Sequence, residues 1–97
     1  MTSKQRAYLR GLANTIDPIV HVGKGGVSDA MKKQADDALT AREIIKGRVL
    51  ETAPEAVKDV AADIASSVNA EVVHVIGRTF VLYRKNEKEP KIVLPRA

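Results

Sequence analysis

The residues of this chain whose types and spacing could do chemistry are Gly23-Lys24-Gly25-Gly26, which interrupt an apolar run just before a predicted helix. Glycines allow positive φ and let another molecule's backbone approach without meeting a Cβ. Ser28 is a suitable N-cap for the helix, so the free N–H groups of its first turn and the Lys24 ammonium should face one spot. That spot would suit an anion, above all a phosphate.

The spacing of these glycines restricts the kinds of phosphate site that are possible. A mononucleotide P-loop needs G-x-x-x-x-G-K-[ST] and a dinucleotide fold needs G-x-G-x-x-G, and the sequence contains neither. The motif present is G-x-x-G, which clamps a nucleic-acid backbone in KH-type modules. The alternative is a strand-to-helix turn that only requires flexibility, and four residues do not decide between the two.

Length and composition predict one small domain. The 97 residues suffice for a single core. Cysteine is absent, which excludes a disulfide framework and a thiolate metal site and fits a reducing compartment. No apolar run approaches the length of a membrane span, and the N-terminus does not have the apolar core of a signal peptide. We therefore expect a soluble, cytoplasmic protein, and nothing in the sequence requires more than a monomer.

The charge of the chain is unevenly distributed. The formal net charge is +4 and the sequence pI is about 9.6. Residues 54–69 contain one lysine and three acidic residues, a net charge of −2, so the rest of the chain carries +6. The basic residues are therefore expected to have a side of their own, which indicates a polyanionic partner.

Periodicity predicts three helices and four strands in the order α-β-α-β-α-β-β. Apolar residues at helical spacing indicate a helix over 3–15, whose start has the capping-box spacing of Thr2 and Gln5, a second helix over about 28–40, and a third with an apolar stripe from Val57 to Val68. Period-two patterns indicate strands over 19–22, 42–50, 71–76 and 79–84. The third helix should start with Thr52 as the cap in a box with Glu55, or with Ala53 as the cap before Pro54. This order predicts an α/β fold with one mixed four-stranded sheet covered by helices.

Three local features carry separate expectations. Gly77-Arg78 separates the last two strands by two residues and predicts a hairpin with a type II′ turn. Gly47 inside the second strand marks a bulge or a close backbone approach, and we treat it as an irregularity. The polar segment 86–90 should be mobile, and 92–94 could dock as a short edge strand.

Taken together, four motifs closely resemble the CRM domain, in particular that of stand-alone bacterial YhbY-type proteins. They are the following stretches, in the family's order and spacing over nearly the whole chain: Ser3-Lys4-Gln5-Arg6-x-x-Leu9-Arg10-x-Leu12-Ala13, Pro18-x-Val20-x-Val22-Gly23-Lys24-x-Gly26-Val27-Ser28, Arg42-Glu43-Ile44-Ile45-Lys46 and Val75-Ile76-Gly77-Arg78-Thr79-x-Val81-Leu82-Tyr83-Arg84. The tail Lys91-Ile92-x-Leu94-Pro95 also fits. Arg42 stands where members more often carry His, and Gly47 where a β-branched residue is usual.

The resemblance implies a fold akin to the C-terminal domain of translation initiation factor three and RNA binding through the glycine loop and nearby basic surface. It also implies association with precursors of the large ribosomal subunit (pre-50S particles) and their ribosomal RNA. We therefore predict an RNA-binding protein without cofactor, metal or catalytic residues. The candidate RNA-binding residues are Gly23, Lys24, Gly25, Gly26, Lys32, Lys33, Arg78, Arg84, Arg6, Arg10 and Lys46.

Two other function classes are weighed against this one. An enzyme would need one of the two histidines, His21 or His74, beside a carboxylate or a second ligand, yet both lie among valines in predicted strands and favour a core or edge position. A small basic DNA-binding protein of the nucleoid type would also bind phosphates, but would prefer duplex DNA. The aromatic residues, Tyr8 and Phe80 in the predicted core and Tyr83 in either place, are too few for a base-stacking platform, so recognition should rest on RNA shape and backbone.

Overall fold

A computed structural model describes residues 1–96 and contains three helices and four strands in the predicted order. The elements are α1 (Ser3–Ala13), β1 (Val20–Val22), α2 (Asp29–Arg42), β2 (Ile44–Val49), α3 (Val57–Val68), β3 (Glu71–Ile76) and β4 (Thr79–Tyr83). The predicted α/β class is confirmed. Each boundary lies within a few residues of its prediction.

The four strands form one mixed sheet in the order β1-β2-β4-β3. β1 and β2 are parallel and joined through α2, whereas β4 runs antiparallel to both β2 and β3. This arrangement brings the C-terminal ends of β1 and β2 to the same end of the sheet as the β3–β4 turn. The glycine loop, which follows β1, therefore lies at that end too.

Helices cover the two faces of the sheet unequally. α2 and α3 pack on one face over the larger core, in which Leu39, Ile64 and Phe80 are completely or almost completely buried. α1 packs on the other face over a smaller core built around Leu9 and Val81. Successive strand residues enter the two cores alternately, as the period-two pattern requires.

The helix starts show where local signals hold and where they fail. Thr2 and Gln5 form the expected capping box, and the Ser28 hydroxyl accepts the Met31 N–H at 3.2 Å. Both predicted starts of α3 are wrong, because its N-cap is Ala56, without a side-chain bond. Residues 50–56 instead form a loop that packs on the glycine loop: a Cβ at Gly26 would lie 3.6 Å from Pro54 Cγ. This contact is made between distant segments, so no capping pattern could reveal it.

The irregularity of the sheet lies in β3 and not at Gly47. β2 pairs continuously with β4 through Gly47, where a Cβ would lie only 2.2 Å from Phe80 Cζ. Gly47 is therefore a site of close approach. The register shift falls between Val72 and His74 of β3. The expected hairpin turn is present, with φ of +56° at Gly77 and no positive φ at Arg78, as type II′ requires.

The C-terminal segment docks without forming a strand. The buried Glu43 carboxylate accepts N–H bonds from Asn86 and Lys91 at 2.6 Å and from Ile92 at 2.7 Å. Ile92 and Leu94 pack on the smaller core beside α1. The prediction of an edge strand over 92–94 is wrong, because these residues form no strand. The Ile92 N–H donates to the Glu43 carboxylate and not to a neighbouring strand. Mobility of 86–90 stays a prediction.

The aromatic residues are not all in the core. Phe80 is buried as expected, and Tyr83 is also buried. Tyr8 is 43% exposed, which contradicts its predicted core position. The reason is that α1 turns Leu9 and Ala13 toward the sheet and carries Tyr8 beyond the edge of that contact.

Candidate nucleic-acid interface

The glycine loop is a tight turn at the end of β1. The Gly26 N–H donates to the Gly23 carbonyl at 2.9 Å, so Lys24 and Gly25 occupy the two central positions. Both central residues are exposed. Among residues 1–96, no acidic side chain lies within ion-pairing distance of Lys24. The turn therefore presents a single unpaired cation and bare backbone to solvent.

The glycines of this turn have different reasons for being glycine. Gly26 is buried with φ of +72°, a conformation that other residues rarely adopt, so the turn itself requires it. Gly25 has no positive φ, and among the described residues no atom lies within 4 Å of where its Cβ would be. The fold therefore does not require glycine at position 25. Glycine would be required at position 25 if the backbone of a ligand came close to this residue.

The N-terminus of α2 begins two residues after the turn. Ser28 caps it, and the N–H groups of the first turn carry a partial positive charge. Asp29 also lies in this first turn and is exposed. Its carboxylate offsets part of the positive charge of the helix N-terminus.

The two lysines predicted to extend the positive field are partly neutralised. Lys32 lies 3.5 Å from the Asp63 carboxylate, and Lys33 lies 3.5 Å from Asp37. Both line a surface groove of about 610 Å³ between α2 and α3. Lys33 is 77% exposed, so its ion pair is weak and leaves the ammonium accessible to a phosphate.

Three other candidate RNA-binding side chains make hydrogen bonds inside the protein. The Arg84 guanidinium, 21% exposed, donates to the Asp36 carboxylate at 2.6 Å, to the Val68 carbonyl at 2.7 Å and to the Thr40 hydroxyl at 2.8 Å. It thus joins β4 to α2 and α3. Arg6 donates to the Val72 carbonyl at the β3 bulge at 2.7 Å.

Lys46 is the third of these internal contacts. Its ammonium donates to the Ala13 carbonyl at 3.2 Å and so binds the negative end of the α1 dipole. Its role as an RNA contact, like those of Arg6 and Arg84, stays a prediction. Each already donates to at least one internal carbonyl.

Arg10 and Arg78 remain available at the surface. Arg10 is exposed in the last turn of α1. Arg78, in the β3–β4 turn, lies 3.7 Å from Glu51 in a pair whose side chains are both more than half exposed. Such exposed pairs contribute little, so Arg78 can exchange its partner for a phosphate. The β3–β4 turn places Arg78 at the same end of the sheet as Lys24.

The histidines lie on the two edge strands, His21 exposed on β1 and His74 half-buried on β3, with two strands between them. Of the two predicted places, core or edge, both histidines take the edge. Among residues 1–96 no group of three His, Cys, Asp or Glu side chains is arranged to hold a metal ion. Within the same residues, every helix is too short or too polar to cross a membrane.

Sequence reasoning missed two residues that matter for the arrangement. Glu43 was part of a motif but was not recognised as the buried acceptor that holds the C-terminal segment. Arg48 was not proposed as a contact, although it is exposed beside the glycine-loop end of β2. The alternation Gly47, Arg48, Val49 could have identified it as the outward residue between two buried ones.

The fold and this surface define a class: a small α/β module that presents a G-x-x-G turn and exposed cations. The sequence model of the CRS1/YhbY (CRM) domain matches residues 1–84. This chain therefore belongs to the CRS1/YhbY (CRM) domain family.

Individual relatives agree with this assignment. A Bacillus subtilis (strain 168) protein named "Probable RNA-binding protein YqeI" is 43% identical over 95 residues, which cover 98% of this chain and 99% of that protein. A Haemophilus influenzae protein named "RNA-binding protein" is 34% identical over 99% of this chain and 96% of its own length. The solution structure of SAV1595 from Staphylococcus aureus, proposed to bind RNA, superposes with a TM-score of 0.81 at 43% identity, covering 98% of this chain and 99% of that one.

Proposed function

We propose that this protein binds structured RNA through the Gly23-Lys24-Gly25-Gly26 turn, without catalysis, and that it acts in the cytoplasm on precursors of the large ribosomal subunit. The observation that carries the proposal is Gly25, an exposed glycine that neither backbone strain nor packing requires. Together with the unpaired Lys24 ammonium, it leaves room for a sugar–phosphate backbone against the main chain. The names of the relatives support RNA as the ligand.

The surrounding cations divide into two groups in this proposal. Lys33, Arg10 and Arg78 are exposed and supply secondary phosphate contacts, with Lys32 behind its ion pair. Arg6, Arg84 and Lys46 act mainly through the fold, because each donates to an internal acceptor. Recognition then rests on RNA shape and backbone with weak base preference.

The test is a titration of a large-subunit ribosomal RNA fragment and a matched duplex DNA at two salt concentrations. We compare wild type with the double variant Lys24→Asp, Gly25→Asp. The control is Lys58→Asp, Ala62→Asp, which makes the same change in charge at two exposed positions of α3 that are not among the candidate contacts. Circular dichroism checks that both variants fold.

We expect wild type to bind RNA more tightly than DNA and to lose affinity at higher salt. We expect the loop variant to lose binding and the control to keep it. Equal loss in both variants would mean that only net charge matters. A preference for DNA would favour the nucleoid alternative. The ribosomal part is tested separately by co-sedimentation with large-subunit precursors, which the loop variant should lose and the control should keep.

A further inference from the structure

One row of residues crosses all four strands of the sheet on the face where α1 packs. The register aligns His21 with Arg48, Arg48 with Thr79, and Thr79 with Ile76. The flanking residues of each strand on the opposite face, such as Val22 and Phe80, belong to the larger core under α2 and α3. The row therefore points to the α1 side. We call these four residues the sheet row.

α1 stops short of the sheet row. The neighbouring row is covered, since Val81 is buried in the smaller core and the paired Lys46 ammonium reaches Ala13 at the end of the helix. One step further, His21 and Arg48 are exposed and Ile76 is 62% exposed. The sheet row is thus an uncovered strip of β-sheet between α1 and the glycine-loop end.

The strip is suited to an anion that also has an apolar surface. Arg48 lies at its centre, and among residues 1–96 no carboxylate is within ion-pairing distance of it. No acidic residue belongs to the sheet row. Ile76, at the far end and separated from Arg48 by Thr79, has a largely exposed side chain that a ribose or a base could cover.

The strip is also continuous with the proposed clamp. His21 is separated from Gly23 by Val22 alone, so a strand of RNA that leaves the glycine turn meets the β1 end of the row first. From there the row spans three inter-strand spacings of about 4.8 Å each, roughly 14 Å in all. A few nucleotides of extended RNA would cross it.

We propose that the sheet row is a second RNA-contact surface, which receives the strand held by the glycine loop and leads it across the sheet toward β3. Arg48 binds a phosphate and Ile76 packs against a base or ribose. This proposal rests on the proposed function and adds to it the path of the RNA and two contact residues outside the loop.

The first test compares Arg48→Gln with Lys58→Gln, which removes one charge from the exposed side of α3. The probe is a stem–loop RNA from the large-subunit ribosomal RNA with a single-stranded flank. We expect Arg48→Gln to weaken binding several-fold and to reduce the log–log salt slope by about 0.7, and Lys58→Gln to do neither. Equal effects of the two changes would overturn the proposal.

The second test locates the RNA by ¹H–¹⁵N NMR titration of wild type with the same probe. Shifts at both the loop and the sheet row support the proposal. Shifts at the loop together with the α2 lysines, without the sheet row, overturn it and leave the proposed function intact. No shift at either place overturns both. Equal binding of a polyglutamate peptide at the sheet row would identify a docking face for acidic proteins and would also overturn it.

Discussion

The ring of Phe80 lies directly over the backbone of Gly47 on the neighbouring strand. The two residues are register partners, and a Cβ on residue 47 would be 2.2 Å from Cζ and 2.6 Å from Cε1 of the ring. Real Cβ atoms do not come so close to other atoms, and Phe80 is itself 1% exposed and cannot easily move. The absence of a side chain at one position thus makes room for the largest fully buried side chain at the other.

Gly47→Ala is therefore expected to destabilise the protein by about 1–3 kcal/mol, although alanine is usually preferred to glycine in a strand. Urea unfolding of Gly47→Ala, Phe80→Leu and the double variant forms a cycle that measures the coupling. The double variant should be more stable than the sum of the single changes predicts. A Gly47→Ala protein as stable as wild type would contradict this account.

Glu43→Gln is expected to lower the free energy of unfolding by about 2–3 kcal/mol and to release the C-terminal segment. Both carboxylate oxygens accept backbone N–H bonds, whereas an amide has only one acceptor oxygen. The NH₂ group of glutamine would therefore face a backbone N–H that it cannot accept. Urea unfolding gives the first quantity, and limited proteolysis after Lys85 or Lys88 reports the second. Glu87→Gln, an exposed change in the same segment, should leave both unchanged.

The same carboxylate makes stability depend on acid pH. Burial acts to raise the pKa of Glu43, but the N–H bonds from Asn86, Ile92 and Lys91, together with the Lys91 charge, outweigh it and hold the pKa below its usual value of 4.5. A lowered pKa in the folded state means that the stabilisation is complete above the unfolded value and is lost as pH falls through the folded one. The free energies of unfolding of wild type and Glu43→Gln should therefore differ most above pH 4.5 and draw together as the pH falls below it. A constant difference would count against this.

Gly25→Ala and Gly26→Ala should separate binding from folding. An alanine Cβ at position 25 would have no atom within 4 Å, and residue 25 has no positive φ. Gly25→Ala should therefore be as stable as wild type or up to about 1 kcal/mol more stable, yet bind RNA more weakly. Gly26→Ala forces alanine to φ of +72° and should cost about 1 kcal/mol of stability. Thermal unfolding and RNA titration of the pair test this. Undiminished RNA binding by Gly25→Ala would mean that no backbone approaches there.

Arg84→Gln should affect stability far more than RNA affinity. The guanidinium satisfies the Val68 carbonyl at the end of α3 and pairs with Asp36 of α2, and a shorter neutral side chain cannot hold both. We expect a loss of about 2–3 kcal/mol in the free energy of unfolding. RNA affinity, measured at a temperature where the variant is folded, should match wild type. A stable variant with weak RNA binding would instead place Arg84 among the contacts.

Local sequence determined the elements and the position of the glycine loop. Apolar periodicity located every helix and strand, because burial on one face of an element repeats at the period of its backbone. Thr2 and Ser28 identified two helix starts, and Gly77 identified the hairpin turn, because caps and turns depend on residues only a few positions apart. The G-K-G-G motif was visible for the same reason.

Tertiary structure decided everything that joins distant parts of the chain. The closeness of Phe80 explains Gly47, the N–H groups of residues 86–92 explain the buried Glu43, and α2 and α3 engage Arg84. Whether a basic residue faces solvent or an internal carbonyl depends on which elements pack beside it, and charge alone does not reveal this. For this reason the sequence identified exposed cations together with those that bind inside the fold, and only the packing separated them.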